Sequence, residues 1–225
     1  MSNVLEIHHL TKKFGDFIAV DNISLNVREG EIFGFLVAFM MYSAVNMSEM
    51  ILKENRTFLR LLSAPVSART YVLSNVAVNV VMMLLQITVT LIVMKNIIHI
   101  DSGIPYGIMI AALFLFALTA ISLSLLIVAF SKSSAGTGAL QNLIITPSCL
   151  LAGCFFPMDI MPDTMRKISN FMPQHWLLDM INKLQQGVTF GSLSLHMAIL
   201  IAFAVVFALI AIFRFDRNND IRQFV

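Results

Sequence analysis

The chain has 225 residues, of which 58% are apolar and 12% charged, with a formal net charge of +2. An ordinary soluble domain is about 45–50% apolar and about a quarter charged, and 15 basic and 13 acidic side chains cannot cover a soluble globule of 25.1 kDa. A soluble enzyme, a disordered tail and a nucleic-acid binder are disfavoured; the composition is that of a membrane protein.

The charges are uneven. Residues 1–33 hold eight of them (Glu6, Lys12, Lys13, Asp16, Asp21, Arg28, Glu29 and Glu31), and the other 192 residues hold twenty. The composition therefore changes near Phe33, where two unlike pieces meet. The front piece alternates as short strands at Leu5 and Ile7, at Phe17–Val20 and at Ile23–Val27, with turn chemistry at Gly15-Asp16 and at Arg28-Glu29-Gly30. No cleavable signal peptide is expected, because Met1–Leu10 is mixed and contains Glu6, His8 and His9.

A membrane-crossing helix needs about 20 apolar residues, and five stretches qualify. Phe33–Leu52 is the weakest, being interrupted by Asn46 and Glu49. Tyr71–Met94 is long and clean, and Ile104–Phe130 carries no charge. Gly138–Pro157 holds Pro147, Gly153 and Pro157, so a broken or re-entrant hairpin stands beside one straight span. Leu193–Phe213 is the last. Between the last two, Asp163–Leu184 reads as an interfacial helix: Ile168, Phe171, Met172 and Leu177 are apolar, Arg166, Lys167, Asp179 and Lys183 lie on other faces, and Trp176 suits a headgroup boundary.

Lys and Arg set the orientation. Loop 53–70 carries Lys53, Arg56, Arg60 and Arg69, loop 131–137 carries Lys132, and the tail carries Arg214, Arg217 and Arg222. The other side has Lys95, Arg166, Lys167 and Lys183. Loop 53–70 and the C-terminus are thus expected in the cytoplasm. Five crossings then place residues 1–32 outside.

Residues 4–36, VLEIHHLTKKFGDFIAVDNISLNVREGEIFGFL, resemble the opening strands of ABC transporter ATPase domains, in which a Lys-Phe-Gly or Lys-Tyr-Gly turn precedes AVDNISL and GEIFGFL. In that family the last motif leads into a P-loop, G-x-x-x-x-G-K-[ST], whose amides cradle phosphate. Here Leu36 is followed by Val37-Ala38-Phe39-Met40-Met41, and no Gly-Lys-Ser/Thr occurs in the chain. The resemblance puts Phe14 at the adenine-stacking position, but only as a vestige, and no ATP binding is expected of this chain.

From Val37 onward the chain resembles ABC type-2 permeases, the membrane subunits of bacterial exporters. Three passages carry the likeness: MILKENRTFLRLLSAPVSARTYVLS at 50–74, SKSSAGTGALQN with LLAGCFFPMDIMP within 131–162, and RKISNFMPQHWLLDMINKL at 166–184. Permeases of this kind have six spans; the resemblance covers five, with the ATPase-like beginning in place of the first. The implied organisation is a truncated ATPase β fragment at 1–33 fused to a permease-like transmembrane domain at 34–225.

The resemblance makes Lys53, Glu54, Arg56 and Arg60 a candidate loop for docking a partner ATPase; the plain alternative is the positive charge that any inner loop carries. Asn75, Asn79, Gln86 and Thr90 share one face of their helix, and polar groups in lipid are expensive, so the stripe should face protein or a wet path. Part of an export path and helix–helix hydrogen bonding both fit. Glu49 pairs with Lys53 at i+4 in the plainest reading. Cys149 and Cys154, five apart and off-register on a helix, read as small apolar fillers. His99, His175 and His196 have no metal spacing, and Ser131–Gly138 reads as a tight cytoplasmic turn.

The expected fold is mainly α-helical and polytopic, with a short N-terminal β fragment. The expected function is the permease subunit of an ATP-binding cassette exporter in a bacterial-type plasma membrane, moving a drug, antibiotic, lipid-like compound or ion. Its partners would be a separate ABC ATPase, which uses the ATP, a second permease subunit in a homo- or heterodimer, and the lipid bilayer. No catalytic residue, cofactor or metal is expected on the chain itself. A non-transporting remnant of a gene fusion is the alternative.

Overall fold

The computed structural model describes residues 3–14, 17–50, 68–96, 102–131, 133–155 and 161–222. In chain order the elements are β1 (Asn3–Phe14), β2 (Phe17–Arg28), α1 (Glu29–Glu49), α2 (Ala68–Asn96), α3 (Tyr106–Phe130), α4 (Ser134–Leu151), α5 (Asp163–Ser169), α6 (Pro173–Gln185), a 3₁₀ turn (Phe190–Leu193) and α7 (Ser194–Arg222). The molecule is a mainly helical bundle preceded by an antiparallel hairpin.

The hairpin pairs Asn3 with Arg28 at its open end and Phe14 with Phe17 at its tip. Two strands of 12 residues replace the three short ones expected. The alternation breaks at His9 and Asn22, both with positive φ, and the strands absorb this as bulges rather than ending. His9 Nδ1 donates to Asn22 Oδ1 at 2.6 Å, and the Asn22 amide donates to Thr11 Oγ1 at 3.0 Å. Arg28-Glu29-Gly30, expected as a turn between strands, is the junction at which β2 passes into α1. The helix starts at Glu29, so the boundary expected at residue 33 falls inside it. Phe33 is already buried in the bundle core.

Four helices among the described residues are long and apolar enough to cross a membrane: Ile32–Glu49, Val76–Asn96, Tyr106–Phe130 and Phe190–Arg214. The third is the axis. Of its residues 67% are buried, against 22% for the second and 17% for the last, and α3 packs on α1, α2, α4, α6 and α7. The exposed apolar faces of α2 (Leu73, Val81, Leu85) and α7 (Ile201, Val205, Leu209) are what lipid contact requires.

Helix directions follow from residue pairs. Ser48 and Ser43 of α1 meet Asn79 and Gln86 of α2, so these two are antiparallel. Lys95 near the end of α2 lies over the ring of Tyr106 at the start of α3, 4.6 Å from its centroid, while Val76 packs beside Leu125 and Val128. Thr119 meets Leu200, and Phe130 meets Arg214, so α3 and α7 are parallel. The helix α4 runs back along α1: Tyr42 contacts Asn142 and Thr146, Met41 contacts Cys149, and Gly34 lies on Cys154. Although α4 carries Pro147 and is not among the four apolar helices, it is continuous over its 18 residues.

Two further expectations are corrected. The interfacial segment is two helices, α5 and α6, separated at Asn170-Phe171-Met172, because the residue before Pro173 is held extended (Met172 φ −105°, ψ 127°). The turn expected over Ser131–Gly138 is much shorter: Ser133 caps α4 by accepting from the Gly136 amide at 3.1 Å, so the helix begins at Ser134.

Gly34 is the closest approach of α1 to the chain leaving α4. A Cβ there would lie 2.0 Å from the Cys154 carbonyl oxygen, a backbone atom that cannot rotate away. Gly34→Ala should therefore act as an overpacking change costing about 1–3 kcal/mol, lowering the thermal midpoint in detergent by several degrees. Gly107→Ala, which meets open space, should leave the midpoint unchanged or slightly raised. Equal midpoints for the two variants would contradict this packing.

Candidate functional site

The polar stripe of α2 faces protein. Asn79 is fully buried, and its Nδ2 donates to Ser48 Oγ of α1 at 3.3 Å. Ser48 Oγ is 2.7 Å from Ser124 Oγ of α3, and Ser124 donates to the Ile121 carbonyl at 2.7 Å. These contacts join Asn79, Ser48 and Ser124 across three helices. One turn further along the same seam, Ser43 donates to Gln86 Oε1 at 2.7 Å, and Gln86 Nε2 is buried without a partner among the described residues. Thr90 is half-buried. Asn75 lies on α2, but its side chain is outside the described residues, as is that of Phe14.

Ser43, Ser48 and Ser124 were not singled out from the sequence, since a lone serine in an apolar run carries no signal until its partner is known. The loop with Lys53, Glu54, Arg56 and Arg60 lies outside the described residues. The Glu49–Lys53 pairing lies there too; Glu49 is half-buried, with Oε1 lacking a partner among the described residues.

At the opposite end of the bundle, α6 is fastened to α7. Asp179 accepts from Lys183 at 2.7 Å and from His196 Nε2 at 2.7 Å. A carboxylate only accepts, so His196 carries its proton on Nε2, and Lys183 Nζ, 3.3 Å from that nitrogen, is a neighbour rather than a donor to it. His196 Nδ1 is buried with no partner among the described residues. Trp176 stands edge-on to His196, with centroids 5.4 Å apart, and donates Nε1–H to the Asn170 carbonyl at 2.8 Å. Two of the three histidines that looked scattered in sequence are thus brought together, His175 lying 5.8 Å from Trp176, while His99 lies outside the described residues. Among the described residues no three His, Cys, Asp or Glu converge as a metal site. A cleft of about 290 Å³ opens near Lys95 and Tyr106, lined also by Leu91, Ile92 and Ile110.

Burial pushes the Asp179 carboxyl up, but the hydrogen bonds from Lys183 and His196 outweigh it and hold the group below its ordinary value of 3.8. Burial lowers His175 below 6.5, more than the Asp179 charge raises it. Both folded values are depressed, so both contributions are present above the ordinary values and are lost as pH falls, His175 first and Asp179 later. The thermal midpoint should fall on acidification from pH 6.5, and His175→Gln should remove part of that decline. A midpoint that rises on acidification over this range would contradict the assignment.

Apolar helices around a buried axis, with hydrogen-bonded seams inside and apolar residues outside, define a multi-pass integral membrane protein. Residues 9–213 match the family described as ABC-2 family transporter protein, and the chain belongs to that family. It is similar to the linearmycin resistance permease protein LnrN of Bacillus subtilis (strain 168), 28% identical over 180 residues, which are 77% of this chain and 46% of that protein. Nodulation protein J of Rhizobium leguminosarum bv. viciae is 33% identical over 66 residues, covering 29% of this chain and 26% of that protein. The chain spans less than half the length of the curated relatives it matches. The family match begins within the hairpin, inside the segment whose wording resembles an ATPase.

Proposed function

We propose that the chain is the permease subunit of an ATP-driven exporter, drawing on a separate ATPase and acting with a second permease subunit. The observation that carries this reading is the family match over nearly the whole helical bundle. The substrate class favoured is an amphiphilic antibiotic or lipid-like compound. Support comes from the resistance permease named above and from the apolar cleft capped by Lys95, which would accept a hydrophobic body with a polar end. In this reading the Asn79 and Gln86 stripe is the lock between α1 and α2 rather than a wet path, because both side chains are engaged by serines of α1.

Residues 53–60, with Lys53, Glu54, Arg56 and Arg60, would take up the motion of the partner ATPase. The second reading is a non-transporting product of a fusion between ATPase and permease sequences. It rests on the ATPase-like wording of residues 4–36, which lack any P-loop.

Two outcomes follow for the purified protein. Alone, it should hydrolyse no ATP and gain no thermal protection from it; an occupied site at 100 times its dissociation constant would add about 2.7 kcal/mol. With the ATPase encoded alongside, the wild type should co-purify, and the double substitution Arg56→Glu with Arg60→Glu should lose the partner while inserting in the same orientation. Undiminished association of that correctly oriented variant would exclude the docking role. Absence of any associating ATPase would favour the second reading.

A further inference from the structure

Cys149 and Cys154 are five residues apart, a spacing that separates side chains on a helix. The end of α4 undoes that separation. Leu151 is the last helical residue, Ala152 is the cap, and Gly153 takes φ +85°, the left-handed conformation that glycine adopts freely. The Cys154 amide then donates back to the Cys149 carbonyl at 2.9 Å, closing a Schellman turn. In that turn the side chains of its first and last residues come together. A third sulfur arrives from α1: Met41 Sδ is 4.0 Å from Cys149 Sγ. All three residues are almost wholly buried, at 1% exposure or less.

We propose that Cys149, Cys154 and Met41 form a binding site for a soft monovalent metal ion of the Cu(I) or Ag(I) class. The spacing fits. A metal–sulfur bond is about 2.3 Å, so three sulfurs around one ion in a plane stand about 4.0 Å apart. The donor set fits as well, because thiolate with thioether selects soft ions, whereas zinc would want a fourth ligand or a histidine. Gln174 at the start of α6 completes the surroundings. Its Nε2 lies 3.0 Å from Met41 Sδ, 2.8 Å from Ser148 Oγ and 3.9 Å from Cys149 Sγ, placing N–H groups beside sulfur that becomes anionic when the ion displaces thiol protons. Gln174 Oε1 is buried with no hydrogen-bond partner among the described residues, an unmet polar atom in the same pocket of side chains. Gly153 and Phe155, on either side of Cys154, are partly exposed, so the site lies close to the surface of the bundle.

The test uses the full chain, purified reduced and without oxygen, titrated with silver nitrate and separately with Cu(I) in competition with a coloured Cu(I) chelator. The expected result is one ion retained per chain through desalting. Cys149→Ala and Cys154→Ala should each abolish retention, and Met41→Leu should weaken it at least tenfold, all with unchanged elution and helix content. X-ray absorption of the loaded wild type supplies a readout that needs no variant, and two or three sulfurs at about 2.3 Å are expected. Three results would overturn the proposal: no retained ion, retention equal in Met41→Leu and Cys154→Ala, or a metal shell with fewer than two sulfurs. Conversion of the two thiols to a disulfide by mild oxidant, with no ion held by the reduced protein, would overturn it too.

Discussion

Helices in lipid gain little by hiding apolar side chains from one another, because the tails around them are equally apolar. Their arrangement depends instead on hydrogen bonds and on close backbone contacts. In this bundle the connection running from Asn79 through Ser48 to Ser124 plays that part, joining α1, α2 and α3 at one depth. Three hydroxyl or amide groups that would each be costly in hydrocarbon satisfy one another in a single line. Removing Ser48 would take away the contact that Asn79 and Ser124 share, so the middle member matters more than its size suggests.

The position of α1 in turn sets much of the rest. With Ser48 tied to α3 and Ser43 tied to α2, the opposite half of α1 presents Gly34, Met41 and Tyr42 to α4. Gly34 admits the Cys154 backbone, and Tyr42 takes Asn142 and Thr146. The chain leaving α4 is thereby brought to the place where α6 begins, and Gln174 reaches into the junction of α1 and α4. The Asp179–His196 bond then fastens α6 to α7, whose parallel run along α3 includes the buried Thr119 hydroxyl donating to the Leu200 carbonyl at 3.0 Å. The α6 helix is seated by an apolar face as well as by these polar contacts, with Leu177, Met180, Ile181 and Leu184 buried in the core of the bundle.

Much of this was legible in the sequence. The apolar runs located α1, α2, α3 and α7 to within a few residues, and the one tryptophan marked the short helices between the last spans. The Asn79–Gln86 face was visible as a polar stripe, but its partners were not. Hydrogen bonds between helices depend on rotation and depth, and Ser43, Ser48 and Ser124 look like any small residues in an apolar run. The strand pattern of residues 17–27 was read as two strands; a bulge with Asn22 at φ +50° carries the same residues without ending the strand. The pairing of Cys149 with Cys154 was hidden for a similar reason. Helical periodicity keeps the two apart, and the glycine between them cancels that periodicity at the last turn.

The central claim is that α1 crosses the membrane as a full member of the bundle, antiparallel to α2 and to α4 and parallel to α3 and α7. Its two ends then lie at opposite faces, and the hairpin sits on the face away from the start of α2 and the end of α7. Single cysteines introduced as Ser2→Cys and Asn218→Cys, with Cys149 and Cys154 replaced by alanine, can be probed in intact cells with a membrane-impermeant thiol reagent. Labelling of position 2 from outside and of position 218 only after the membrane is opened is the predicted result. Labelling of both positions from the same side would show that α1 or α4 does not cross, and would contradict the account.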